Sequence, residues 1–205
     1  MLTEALATNV IPKSDVPPHV ARQLRRVVGV RFAEVWGPAE ESAQSATEER
    51  AYARYRGLLN EATLNGANLT HGRTMFQRTC APCHKMYGEG GAIGPDITGS
   101  NRANLDYLLS NVLTPNAEVQ DAYKMVVVTT RDGRTHSGNA VSETDRQLTL
   151  RVVGRDPVTI AKADIQSRET TTSSMMPSGL FDALTDREVV DLVAYLRTVE
   201  QVKVP

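Results

Sequence analysis

Aromatic side chains are scarce in this 205-residue chain: one Trp, three Phe and six Tyr make up 5% of it. That is thin for the core of a domain this long, unless some other group supplies large, flat apolar bulk. Cysteine is scarcer still. Only Cys80 and Cys83 occur, three positions apart, which excludes the disulfide framework of small secreted domains. Neither sign of charge is in excess: Lys and Arg total 23 against 24 Asp and Glu, a formal net charge of -1. No basic field is therefore available to hold nucleic acid or an anionic membrane surface. No apolar run approaches the roughly eighteen residues needed to span a bilayer. The opening Met1-Leu2-Thr3-Glu4-Ala5 has neither the basic nor the apolar region of a signal peptide.

What is present falls into blocks. Residues 1–66 read as a polar, helical segment. A start signal at Ser14-Asp15-Val16-Pro17-Pro18 leads a helix over Val20 to Val30, and a second helix runs from about Glu40 to Ala62. No chemistry is assigned to this part. A short helix fits Asn68 to Thr79, followed by a glycine-rich loop, Gly88 to Pro95. Leu105, Leu108, Leu109 and Val112 then recur at helical spacing until Pro115.

The period next changes. Val126 to Thr130 and Arg134 to Val141 flank Asp132-Gly133 as a hairpin, and Gln147 to Val153 and Val158 to Ile165 continue in strand style. Residues 122–167 are thus expected to form an inserted antiparallel β-module of four or five strands. Thr185 and Glu188 have the spacing of a capping box, and Val189, Leu192, Val193, Leu196 and Val199 line one face of a terminal helix. The fold class expected is mainly α with this small β insertion, α+β overall.

The chemistry-bearing motif is Cys80-Ala81-Pro82-Cys83-His84, the C-x-x-C-H sequence of c-type haem attachment. The spacing lets two thiols add to the two vinyl groups along one porphyrin edge, and the imidazole that follows then lies under the iron. A porphyrin would also supply the missing aromatic bulk. A thioredoxin-like pair would follow a strand, whereas this motif follows a helix, and a zinc site would want a second pair of ligands. His84 is the expected proximal ligand. A ligating histidine usually donates its other ring nitrogen to a carbonyl, and Gly94-Pro95 can bring a rigid one there.

A sixth ligand is expected in Ser173-Ser174-Met175-Met176-Pro177, since methionine with histidine raises the potential of the iron and suits electron transfer. Met176 is favoured because Pro177 stiffens the backbone beside it, with Met175 as the alternative. Met86 is too close to His84, Met75 lies on the preceding helix, and Met125 belongs to the β-module. His19, His71 and His136 are further alternatives.

Together, Gly72-Arg73-Thr74-Met75-Phe76, the Cys80 to His84 motif, Gly94-Pro95-Asp96-Ile97, Met176-Pro177 and Leu192-Val193-Ala194-Tyr195-Leu196 resemble a class I cytochrome c domain. More narrowly, Ile93 to Gly99, Asp132-Gly133-Arg134, Ser174 to Leu180 and Asp191 to Leu196 are similar to the haem-binding domains at the C-termini of large exported proteins of planctomycetes and verrucomicrobia. The resemblance runs from about Gly72 to Val199. It implies a cytochrome domain of residues 67–121 plus 168–205, with one covalent haem c. It also implies a crossing of the helix after Asn68 with the terminal helix, at which Gly72 allows close approach and Phe76 packs on Tyr195. The haem-lining carbonyl falls on Pro95, beside Gly94 and Ile97, and the methionine ligand on Met176. The interval of roughly ninety residues between His84 and Met176 departs from a compact class I domain. The β-module fills it and resembles a small SH3-like or Sm-like barrel.

These readings imply a single-haem electron carrier, not an enzyme in its own right, passing electrons between a dehydrogenase-type donor or another cytochrome and a downstream acceptor. Two other classes compete. One is a haem sensor or peroxidase-like enzyme with a displaceable sixth ligand, in which Arg168 or His136 serves as a distal polar group. The other is a binding module in which haem is a core element. Covalent haem attachment usually takes place outside the cytoplasm, so the chain is expected to be the mature form or a piece of a periplasmic or otherwise exported protein.

Overall fold

The computed structural model describes residues 2–8, 10–16, 18–37 and 43–203. Helices α1 (Leu2–Ala7), α2 (Pro18–Val28) and α3 (Val30–Trp36) close on a small cluster of Leu6, Ala21 and Phe32. The helix expected through Val30 breaks at Gly29, whose φ of +65° lies in the left-handed region. Of its start signal, Pro17 lies outside the described residues. The long second helix, whose first residues 40–42 also lie outside them, divides into α4 (Ala43–Leu58) and α5 (Glu61–Asn65). Asn60 makes the division, because its side chain accepts the Thr63 N–H and caps a new helix start.

The main core gathers α4, α6 (Leu69–Thr79), α7 (Leu105–Leu113) and α8 (Asp186–Leu196). Tyr52 and Tyr55 from α4, and Leu59 just after it, are buried with Phe76, Leu109, Phe181 and Val189, so this core crosses the expected boundary at residue 66. Each such side chain contributes about 1.5–3 kcal/mol by leaving water. Where α6 crosses α8, a Cβ on Gly72 would lie 2.0 Å from the Asp191 carbonyl oxygen, so only glycine allows the backbones this close. Phe76 and Tyr195 pack beside it with ring centroids 5.7 Å apart. The capping box at the start of α8 is present, with Thr185 and Glu188 each bonding the other's backbone N–H.

Two further strands, β1 (Lys85–Met86) and β2 (Glu89–Gly90), form a short hairpin after α6. The β-module is a five-stranded antiparallel sheet of β3 (Lys124–Thr130), β4 (Thr135–Glu143), β5 (Gln147–Arg151), β6 (Val158–Ala161) and β7 (Ile165–Ser174), in the order β6-β5-β4-β3-β7. Four strands meander; a single turn of 3-10 helix, Lys162–Asp164, returns the chain so that β7 pairs with β3. Val126, Val128, Leu148, Leu150, Val152 and Ile160 form a separate core inside the module.

The expectation of a mainly α fold is corrected: with about a fifth of the chain in strands the fold is mixed α+β. The reason lies in β7, which runs past residue 167 to Ser174. Its side chains are mostly exposed, so it shows none of the apolar alternation from which a strand is read, and it is made a strand by backbone pairing with β3. Among the described residues no helix is long and apolar enough to cross a membrane.

Candidate cofactor site

Helix α6 delivers the motif. Its N-terminus is capped by Asn68, and Cys80 at its C-terminus still donates to the Phe76 carbonyl at 2.8 Å. One more turn follows, in which the N–H groups of Cys83 and His84 both reach the Cys80 carbonyl, at 3.0 and 2.8 Å. The chain then reverses through Tyr87 and Gly88, both at positive φ (53° and 83°), as a two-residue hairpin turn requires. Arg73 on α6 holds the far strand of that hairpin through Glu89, at 2.8 Å.

The glycine-rich loop is thereby folded back over the motif. Gly91 N–H donates to Ala81 at 2.7 Å and Gly94 N–H to Cys83 at 2.8 Å. A Cβ on Gly94 would lie 2.4 Å from Cε1 of His84, so the imidazole rests directly on this glycine. Its Nδ1 lies 3.0 Å from the Pro95 carbonyl oxygen. A carbonyl can only accept, so Nδ1 carries a proton and donates it, and in the neutral ring the lone pair is on Nε2. Ile97 packs against the main core together with Cys80, and its N–H is bonded to Lys85.

Burial pushes the Cys80 thiol up to about 12, with the neighbouring Cys83 adding to the shift, and burial also raises Cys83. A reactive C-x-x-C pair works by a lowered thiol pKa, the opposite of this environment. Among the described residues no group of three or more His, Cys, Asp or Glu could hold a metal ion. The donor set does fit a porphyrin iron: one imidazole oriented by its Nδ1 bond, two thiols in no disulfide within one turn of it, and a glycine against the ring.

Met175 and Met176 stand on the connection from β7 to α8, both half-buried. Ser174 fastens this connection: its N–H donates to Asn116 Oδ1 at 2.7 Å, and its Oγ accepts from Met176 N–H at 3.1 Å. Beyond it, Phe181 is buried edge-on against Tyr55, at 5.1 Å, and Tyr55 O–H donates to Asp182 at 3.1 Å. Cys80, Cys83, His84, Gly94 and Pro95 are thus brought into one bonded group. Among the described residues no hydrogen bond joins that group directly to the methionine connection.

The other expected groups lie elsewhere. Met75 and Met86 are core residues, and Met125 is on β3. His71 is committed to Asp191 at 2.8 Å across the α6–α8 crossing. His136 lines a cavity of about 340 Å³ beside the Asp132-Gly133 turn, the end of the sheet away from Ser174. Arg168 pairs with Glu143 at 3.0 Å within the module. The side chain of His19 lies outside the described residues.

Sequence reasoning missed Arg102. It is buried, and among the described residues no ion pair holds its guanidinium, which donates to the carbonyls of Ile97, Thr98, Leu196 and Thr198, tying the loop after Pro95 to the end of α8. A lone arginine after a loop carries no periodic signal that would have revealed it. No protein-family model and no curated protein matches the chain.

Proposed function

We propose that this chain is a single-haem c-type cytochrome domain that carries electrons one at a time. The observation that carries the reading is the bond from His84 Nδ1 to the Pro95 carbonyl, directly behind a C-x-x-C-H motif, because it fixes the imidazole in the tautomer a ligand needs. When bound, haem c supplies an iron that cycles between ferric and ferrous states. Cys80 and Cys83 would anchor it as thioethers, Gly94 would leave room for the His84 ring, Ile97 would add apolar lining, and Met176, or alternatively Met175, would be the sixth ligand. Its partners are a dehydrogenase or another cytochrome on the donor side and a downstream acceptor, outside the cytoplasm. The engagement of Arg168 with Glu143, and the place of His136 at the other end of the sheet, favour this over a sensor or peroxidase-like enzyme with a distal polar group. The order β6-β5-β4-β3-β7 supports a small SH3-like barrel as the nature of the insertion.

The test is expression together with a cytochrome c maturation system. The purified chain is expected to gain the mass of one haem that survives denaturation, and Cys80→Ala with Cys83→Ala to lose it. The ferric protein should show the weak long-wavelength band of methionine ligation, absent in Met176→Ala and retained in Met175→Ala. Absence of covalent haem refutes the reading. Covalent haem that lacks the band and binds carbon monoxide readily returns the sensor or enzyme class to the front.

A further inference from the structure

Hydrogen bonds from the ends of β5 and β7 link the β-module to the two segments of the candidate site, and both ends lie on one row across its sheet. At one end of the row, Arg151 closes β5 and donates from Nη1 to the Ala92 carbonyl at 2.5 Å. Ala92 belongs to the loop whose next members rest on the His84 ring and bond its Nδ1. At the other end, Ser174 closes β7 and bonds both Asn116, after α7, and the Met176 N–H.

The row between them is joined by strand pairing and one side-chain bond, since the β3–β4 pairing stops at Val126 and Gly138 and the β3–β7 register shifts between Lys124 and Val126. Arg151 pairs with Asn139 on β4, the fully buried Asn139 donates from Nδ2 to the Tyr123 carbonyl at 2.9 Å, and the adjoining Lys124 on β3 pairs with Ser174. The sheet is drawn tight at this row. A Cβ on Gly138, the neighbour of Asn139, would lie 2.3 Å from the Arg151 carbonyl oxygen. Hydrogen-bonded strands slide or stretch only by breaking several backbone bonds at once, so such a row transmits position between its ends.

We propose that the β-module is a clamp that fixes the methionine loop relative to the His84 loop, with Arg151 and Asn116 as positioning residues at its two ends. The inference rests on the haem reading for its purpose, and on the bonded row alone for its mechanics. It gives the long insertion between His84 and Met176 a role in ligation: the second ligand is placed by a sheet, not by a short loop.

The experiment uses the full chain, haem-loaded and haem-free, in four forms: Arg151→Gln, Arg151→Lys, Asn116→Ala and the control Arg155→Gln in the exposed loop after β5. In the ferric haem-loaded protein, imidazole is titrated against the methionine band. Loss of either positioning bond is expected to lower the displacing concentration about tenfold, with Arg151→Lys restoring it and Arg155→Gln unchanged. A merely structural role would lower the unfolding temperature and leave the titration where it was. Unchanged displacement in both Arg151→Gln and Asn116→Ala overturns the clamp.

In the haem-free chain, amide exchange over residues 88–98 and 174–180 is followed in Arg151→Gln. The clamp requires both segments to lose protection together, although Arg151 touches only the first; a change confined to residues 88–98 overturns it. Should the wild type take up no haem, the haem reading fails and the exchange result still decides the coupling.

Discussion

Substituting Gly94→Ala tests the arrangement around His84 with a single methyl group. The glycine is not at positive φ, so alanine brings no backbone strain and acts only through the space it fills. That space is occupied: the added Cβ would meet Cε1, Nδ1 and Nε2 of His84 at 2.4, 2.7 and 2.9 Å. Ordinary contact is about 3.5 Å or more, so the ring must retreat by about 1 Å. The bond from Nδ1 to Pro95 is 3.0 Å long and does not survive such a shift. A half-buried imidazole and a carbonyl then lose their partner, at a cost of about 2 kcal/mol. For a chain of this size that corresponds to a fall of roughly 4–8 °C in the unfolding temperature.

Thermal unfolding followed by circular dichroism measures this on the haem-free protein, with Gly99→Ala as the control. A Cβ at Gly99 meets nothing within 4 Å, so its unfolding temperature should hold or rise slightly. In the haem-loaded protein that the proposal expects, Gly94→Ala should also tilt the His84 ring, shifting the Soret band and lowering the potential. If Gly94→Ala unfolds with the wild type and leaves the spectrum untouched, the ring does not rest on this glycine and the reasoning is refuted.

At the helix crossing, Gly72→Ala must push α8 away from α6, because its Cβ would lie 2.0 Å from the Asp191 carbonyl oxygen and 2.8 Å from Tyr195 Cβ; denaturant titration should show a loss of about 3 kcal/mol. Arg102→Met takes the guanidinium donors from four carbonyls, of which Ile97 keeps Ser100 and Thr198 keeps Tyr87, and should cost about 3 kcal/mol in the same assay. Burial alone would raise the Asp191 carboxyl, but hydrogen bonds from His71 and Asn68 and the charge of Arg187 outweigh it and hold the group below its usual value. A depressed carboxyl stabilises fully above the unfolded value of about 3.9 and is lost as pH falls below it. Stability measured by urea titration should therefore decline below about pH 4, and Asp191→Asn should flatten that decline while lowering stability at neutral pH.

Much of this was legible in the residues. The capping box at Thr185 and Glu188, the hairpin turn at Asp132-Gly133 and the helix from Leu69 to Thr79 each depend on neighbours a few positions apart, and each signal is local. The exposed strand β7 was not, because a strand with little buried surface leaves no pattern in the order of its side chains. Nor was the split at Asn60 read, where one capping side chain ends a helical run that composition alone would have continued.

The sequence by itself determined the motif on which the haem proposal rests: two thiols and an imidazole within five residues, and a proline whose carbonyl could reach the imidazole. That much follows from covalent reach along a few residues. Only the tertiary structure decided which groups face one another across long intervals: Arg102 against the end of α8, and Arg151 against Ala92. These contacts join backbone atoms to side chains far away in the chain. A backbone carbonyl is the same at every residue, so no residue type announces which one will be met.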